Sequence, residues 1–549
     1  MKFKKLIIIA IISLLGLSSF IKDDGDDFEL VKNLEIFHTL MRDIRILYVD
    51  ETSSGELIKT AMDEMLRNLD PYTVYYPESL VEDVMFINTG EYAGIGADMD
   101  KFNGVYQVIE INEGSPADKA GIIIGDKILK IGGNDISGKT SDEISLLIKG
   151  EPGTSVSITY QRDEQTKTVN VKRAMIKEKN IPYFGKIDSK TGYINLSGFT
   201  EDCSKELKAA FLKMKNEDKI ENLIIDLRYN PGGLLIEAVN IVNIFVDKGE
   251  KIVEMKGRVE QWNKVFKAEN TPADTKIPVI VLVNGRSASA SEIVSGALQD
   301  LDRAVILGEK TFGKGLVQTT KDLTYNAKLK ITTAKYYIPS GRCIQKLDYS
   351  HKDSEGHATQ IAESLFKTFK TKNGRPVKDA GGIMPDITVE YDTLSEIVEN
   401  LVSGNTIFDY ATLYKRKHAS ISRPEEFELT DADMEDFKKF AGNKLFEYQT
   451  QSDGLLKAAE EVLTSEYHSP EIAANINAVR QEIVKKKQKK FDEYYKQIKT
   501  ALTTEIVSRY YYQEGVIRYS IRHDDYIEKA KSVFNDENLY KNILNGSVK

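Results

Sequence analysis

Apolar residues recur along this chain with changing periods, and the changes divide it. Between residues 22 and 78 they fall three and four apart. Leu30, Leu34, Phe37, Met41, Ile44 and Tyr48 make one stripe of a helix, and a second helix from Glu56 stops at Asp70-Pro71. Such helices suit packing against a neighbour, whether inside the chain or in a second copy. From residue 79 to 174 the pattern shortens to strands between glycine turns, at 105–109, 125–131 and 156–160. From 175 to 392 strands alternate with helices: a strand at 193–196, a helix over 201–215, a strand at 223–227, a helix over 234–245, then Val279–Val283 and 305–307. That alternation predicts an α/β core. Residues 393–549 read as charged and helical, with a basic run over 485–490 expected to be a solvated helix face. Tyr510, Tyr511 and Tyr512 are expected to pack onto a neighbouring helix.

Composition changes this picture little. The 549 residues should hold about three to four domains. A hydrophobic content of 41% supports real cores, and a net charge of −9 gives no reason to expect nucleic acid as a partner. Cys203 and Cys343 cannot form a disulfide framework and stand in no metal-spaced cluster, so no metal and no cofactor is expected. Residues 1–21 open with Met-Lys-Phe-Lys-Lys and continue as an apolar run, the pattern of an export signal or of an uncleaved membrane anchor. The run is a little short of the ~20 residues of a spanning helix. The expected location is therefore the periplasm or cell envelope.

The candidate chemistry lies in 279–318. The strand Val279–Val283 turns through Asn284-Gly285-Arg286 into Ser-Ala-Ser-Ala-Ser-Glu at 287–292 and a helix. A further strand ends in Thr311-Phe312-Gly313-Lys314-Gly315. Ser289 with Glu292 has the spacing of a capping box, the ordinary role of a serine at such a corner. Upstream, the strand at 223–227 runs into Arg228-Tyr229-Asn230-Pro231-Gly232-Gly233 and a helix, where bare backbone N–H groups can meet an anion. No histidine lies between His38 and His351, so the whole region lacks imidazole. A serine–lysine pair needs none, provided the lysine is neutral.

Together, 287–292, 311–315 and 228–233 resemble the motifs of the carboxy-terminal processing (tail-specific) peptidases, PDZ-containing serine endopeptidases of bacteria and plastids. The resemblance covers roughly residues 30 to 390, with Gly381 to Asp386 matching the family's closing motif. It implies Ser289 as nucleophile, Lys314 as general base 25 positions later, and Gln318 orienting the lysine. It implies an oxyanion hole from the backbone of Gly232 or Gly233 and of Ala290. It also implies a crotonase-like ββα-spiral core over 175–392 with a PDZ domain at 79–174, preceded by the amino-terminal helices. In a PDZ domain a peptide adds as a strand and backbone N–H groups hold its carboxylate. Here that loop would be Tyr92, Ala93, Gly94, Ile95 and Gly96, which departs from the commoner Gly-Leu-Gly-Phe. The resemblance therefore implies an exported, ATP-independent serine endopeptidase that takes protein or peptide substrates by their apolar carboxy termini. An adaptor protein or a homo-oligomer are further partners that 393–549 or the amino-terminal helices could serve. Two rival readings are a non-catalytic PDZ scaffold for envelope protein tails and a crotonase-type thioester enzyme, for which no adenine or pantetheine pocket is legible.

Overall fold

A computed structural model describes residues 24–389 and 393–547, so the export signal or anchor expected at 1–21 lies outside the described residues. Among the described residues no helix is long and apolar enough to cross a membrane. The chain forms two compact units. The smaller contains the amino-terminal helices Asp24–Leu47 and Ser54–Arg67, the strand Val74–Tyr76, and residues 320–331. Ser53 caps the second helix, and Asp70 turns the chain by accepting the N–H groups of Tyr72 and Thr73 at 2.8 Å. Val74–Tyr76 then pairs antiparallel with Lys328 to Lys330. The first part of the apolar stripe is exposed, with Leu30 58% and Leu34 59% accessible, while Met41 and Ile44 are half-buried.

The larger unit contains a domain with a six-stranded antiparallel sheet, in the order Ala97–Phe102, Val105–Ile111, Lys127–Ile131, Ser155–Arg162, Gln165–Lys172, with the short strand Asn134–Asp135 also paired to Lys127–Ile131. The helix Ser141–Ile148 lies in the same segment, and Ile95, Val108, Ile131 and Ile158 fill the domain's core. After it comes a mostly parallel sheet. Its strands run in the order Tyr183–Lys186, Thr191–Asn195, Asn222–Asp226, Val279–Val283, Val305–Gly308, Ile387–Thr388, and only the first pair is antiparallel. The expected α/β core is present.

Val279–Val283 is apolar at every position because both faces of the sheet are covered, as parallel sheets require. On one face Leu223, Ile225, Val281 and Ile306 pack beneath the helices Cys203–Asn216, Leu235–Phe245 and Ala290–Asp300. On the other, Ile224, Ile280, Leu282 and Leu307 meet Ile527, Ala530, Val533 and Tyr540. These belong to the helices Asp525–Asn535 and Glu537–Leu544 at the end of the chain. The carboxy-terminal extension thus completes the core. The sequence left its role open, because nothing in a charged helical segment says what its apolar face meets.

The rest of the extension has its own core around Tyr410, Phe437, Ile498 and Leu502. Two expectations need correction there. The basic run is not wholly solvated: Lys487 is buried, donates to Asp453 and the Tyr448 carbonyl, and lies over the Tyr448 ring. The three tyrosines also part company. Tyr510 and Tyr511 bond carbonyls of 418–422, whereas Tyr512, where the helix Tyr495–Ser520 breaks at φ 51°, donates to Asp118 in the antiparallel domain.

The two-sided burial yields a prediction. Val533→Asp should lower unfolding stability by about 3 kcal/mol or more, because it buries an unpaired charge. Val484→Asp, at an exposed site of the extension, should stay within about 0.5 kcal/mol. Denaturant unfolding of both variants checks the contrast.

Candidate active site

The parallel strands Asn222–Asp226, Val279–Val283 and Val305–Gly308 deliver three loops at their carboxyl ends, the usual place for a site in an α/β sheet. The middle loop carries three serines, and their bonding sorts them. Ser287 Oγ donates to the Leu227 carbonyl at 2.8 Å and accepts the Asn284 N–H at 2.9 Å. Ser291 Oγ donates to the Asn230 carbonyl at 2.9 Å. Both are fully buried and tie the middle loop to the neighbouring one. Ser289 lies between them, partly exposed, with φ +55° at the start of the helix Ala290–Asp300. A non-glycine residue held there costs of order 1–3 kcal/mol, and such strain persists only where the surroundings impose it.

Glu292 imposes it. Its carboxylate is buried and accepts four donors. Oε2 takes the N–H groups of Ser289 and Lys314, each at 2.9 Å. Oε1 takes the Thr311 hydroxyl at 2.6 Å and the Gly313 N–H at 2.7 Å. The capping spacing of Ser289 and Glu292 therefore has a second use, which the sequence hid: the same carboxylate ties the serine to the lysine loop. Burial pushes the Glu292 pKa above the usual carboxylate value, and the four donors pull it back. Thr311 Oγ1 in turn accepts the Ile383 N–H at 2.6 Å, so the segment at 381–386 closes over the same loop.

The loop at 227–234 lies against this corner. Asn230 donates its amide to the Leu196 carbonyl at 2.7 Å and accepts the Gly232 N–H at 2.9 Å. Gly232 has φ +101°, and a Cβ there would lie 2.7 Å from the Ala288 carbonyl and 2.8 Å from the Ala290 nitrogen. Only glycine lets this backbone approach Ser289 so closely. Gly233 pairs with Phe199 beside it. Of the residues expected to act here, Gly232, Gly233, Ser289, Ala290 and the backbone of Lys314 are brought together. Lys314 as a residue is partly buried. Gln318, on Leu316–Asp322, donates its amide to Thr332 Oγ1 on the partner strand at 3.0 Å.

Comparison with known proteins bears on this geometry. Residues 190–350 match the profile of peptidase family S41, 93–172 that of the PDZ domain, and 397–534 that of the C-terminal helical domain of probable PDZ-proteases. A carboxy-terminal-processing protease of Bartonella bacilliformis is 39% identical over 57% of this chain and 73% of its own. The chain belongs to the carboxy-terminal-processing protease family. A probable CtpA-like serine protease of Staphylococcus aureus is 37% identical over 68% of this chain and 76% of its own. The solved photosystem II D1 C-terminal processing protease shares 25% identity over 64% of this chain and 92% of its own, at a TM-score of 0.36. This family member is thus a serine protease with a PDZ domain, whose substrates are peptides or proteins.

In the protease, Tyr92, Ala93 and Gly94 belong to the strand Glu91–Gly94, which pairs antiparallel with Ala174–Lys177. Ile95 is buried in the PDZ core. Gly96 has φ +72°, and its carbonyl accepts the Ser115 hydroxyl and the Asn112 N–H. A groove of about 260 Å³ runs between Ala97–Phe102 and the helix Ser141–Ile148. Phe86, Tyr92, Met99, Ile144 and Ile148 make it largely apolar, and Asp98 adds a carboxyl whose pKa burial raises. Phe86 meets the Tyr92 ring edge-on at 5.7 Å, a contact from the preceding helix that sequence spacing did not suggest.

Two substitutions test the corner of the protease. Glu292→Gln keeps the size but offers one acceptor oxygen where two receive bonds, stranding buried donors at about 2 kcal/mol or more. Unfolding stability and proteolysis should both fall, as denaturant titration and peptide cleavage would report. Gly232→Ala should lower cleavage about 100-fold or more through displacement of the corner, with retained PDZ peptide binding as the control.

Proposed function

We propose that this protease cuts protein chains with a Ser289–Lys314 dyad, after its PDZ domain has captured an apolar carboxy terminus. What carries the reading is the shared Glu292 Oε2, 2.9 Å from the backbone nitrogens of both Ser289 and Lys314. Neutral Lys314 would take the Ser289 hydroxyl proton as Oγ attacks the scissile carbonyl, then give it to the leaving amine. Water, with Lys314 again as base, would release the acyl group from the serine. Ala290 N–H and Gly233 N–H are the oxyanion donors favoured here, because the Gly232 N–H is given to Asn230 Oδ1 and would have to turn to serve. Gln318 would orient the lysine from the strand that follows it. The apolar groove beside Tyr92 suits a hydrophobic carboxy-terminal side chain, with the turn at Ile95-Gly96 receiving the carboxylate. The charged start and apolar run of residues 1–21 support export to the periplasm or cell envelope.

The test is digestion of an unstructured protein with an apolar carboxy terminus. Ser289→Ala and Lys314→Ala should each abolish cleavage while thermal unfolding stays cooperative and near the parent's midpoint. Full activity in Lys314→Ala would rule out the dyad.

A further inference from the structure

The last helices of the protease do more than cover the sheet. Asp524 caps the helix Asp525–Asn535, its Oδ1 accepting the Tyr526 N–H at 2.9 Å and the Ile527 N–H at 3.3 Å. The same carboxylate receives Arg228, Nη1 to Oδ1 at 3.1 Å and Nη2 to Oδ2 at 2.6 Å. Arg228 also holds Asp226, at the end of the central strand, through Nε at 3.0 Å and Nη2 at 2.6 Å. Asp226 takes the Tyr193 hydroxyl at 2.8 Å as well. All three charged side chains are nearly buried, at 14% exposure or less. Arg228 stands two residues before Asn230, which fixes Gly232.

One residue pair reaches the other loop. The Tyr526 ring lies under the Arg228 guanidinium at 4.8 Å, and its hydroxyl donates to Glu309 Oε1 at 3.0 Å. Glu309 begins the segment that leads through Thr311 and Gly313 to Lys314, and its Oε2 lies 3.4 Å from the Gly285 N–H. A single helix start from the extension is therefore bonded to the loop that carries Gly232 and Gly233 and to the loop that carries the lysine. A buried bidentate guanidinium pair is directional as well as strong, so it fixes orientation and not distance alone.

We propose that Asp524 and Tyr526 are positioning residues for proteolysis, the extension acting as a clamp across the two loops. This rests on the Ser289–Lys314 reading for its consequence in turnover, while the clamp itself can be observed without turnover. In the full-length protein, Asp524→Asn keeps a good helix cap but loses the charged fork to Arg228. Tyr526→Phe keeps the ring and removes the hydroxyl that donates to Glu309.

The measurements are kcat and KM on a fluorogenic peptide with an apolar carboxy terminus, thermal unfolding, and hydrogen–deuterium exchange over 226–234 and 308–315. Each variant should lose about ten-fold in kcat with KM within about two-fold, since a displacement of about 1 Å at reacting groups can cost about 100-fold. Exchange should quicken over 226–234 in Asp524→Asn and over 308–315 in Tyr526→Phe. Parental kcat with parental exchange in both segments would overturn the clamp, as would a lowered unfolding midpoint with kcat and exchange unchanged, which is the mark of a helix cap alone. If the parent protein itself cuts nothing, the dyad reading fails, and the exchange comparison still decides the clamp.

Discussion

One buried carboxylate holds the working corner of this protein together. Glu292 has given up water entirely, a loss of several kcal/mol that only good internal bonds offset. Four donors from two loops supply them, and each of the two oxygens receives two. The consequence is geometric. Because the Ser289 and Lys314 nitrogens share one acceptor oxygen, the two segments cannot drift apart without stranding a buried charge. The strained φ of Ser289 is the local cost of that arrangement.

The corner in turn depends on rigid strand ends. Four parallel strands, covered on both faces, place the loops at 227–234, 284–289 and 309–315 side by side. One cover comes from helices within the core and the other from the last two helices of the chain. The extension's own bundle also grips the PDZ domain, through Tyr512 on Asp118 and Arg416 on Asp163. Stability of the sheet, setting of the loops and seating of the PDZ domain are thus connected through residues 393–547.

Much of this was legible in the residues. The alternation of strands and helices announced the α/β core, and the motifs around Ser289, Lys314 and Gly232 pointed to the family. What escaped was what a linear pattern cannot encode. Glu292 reads as a helix cap because its nearest partner is three residues away, while its other donors lie about twenty residues on. Arg228 and Asp524 are separated by 296 positions. The Asn230 side chain, two residues from Gly232, takes an N–H that the motif alone offers to a ligand. Lys487 looked like any member of a basic run until Tyr448 and Asp453 folded against it.

The three serines of 287–291 allow the most direct test of what this corner does. Ser287 and Ser291 are buried with their hydroxyls bonded to carbonyls of the neighbouring loop, whereas Ser289 is partly exposed. The folded protein would be treated with a fluorophosphonate, which phosphonylates an activated serine, and the adduct mapped by peptide mass spectrometry. A single adduct on Ser289, lost in Lys314→Ala, is the result the dyad requires. An adduct on Ser287 or Ser291, or labelling of Ser289 at the parental rate without the lysine, would contradict it.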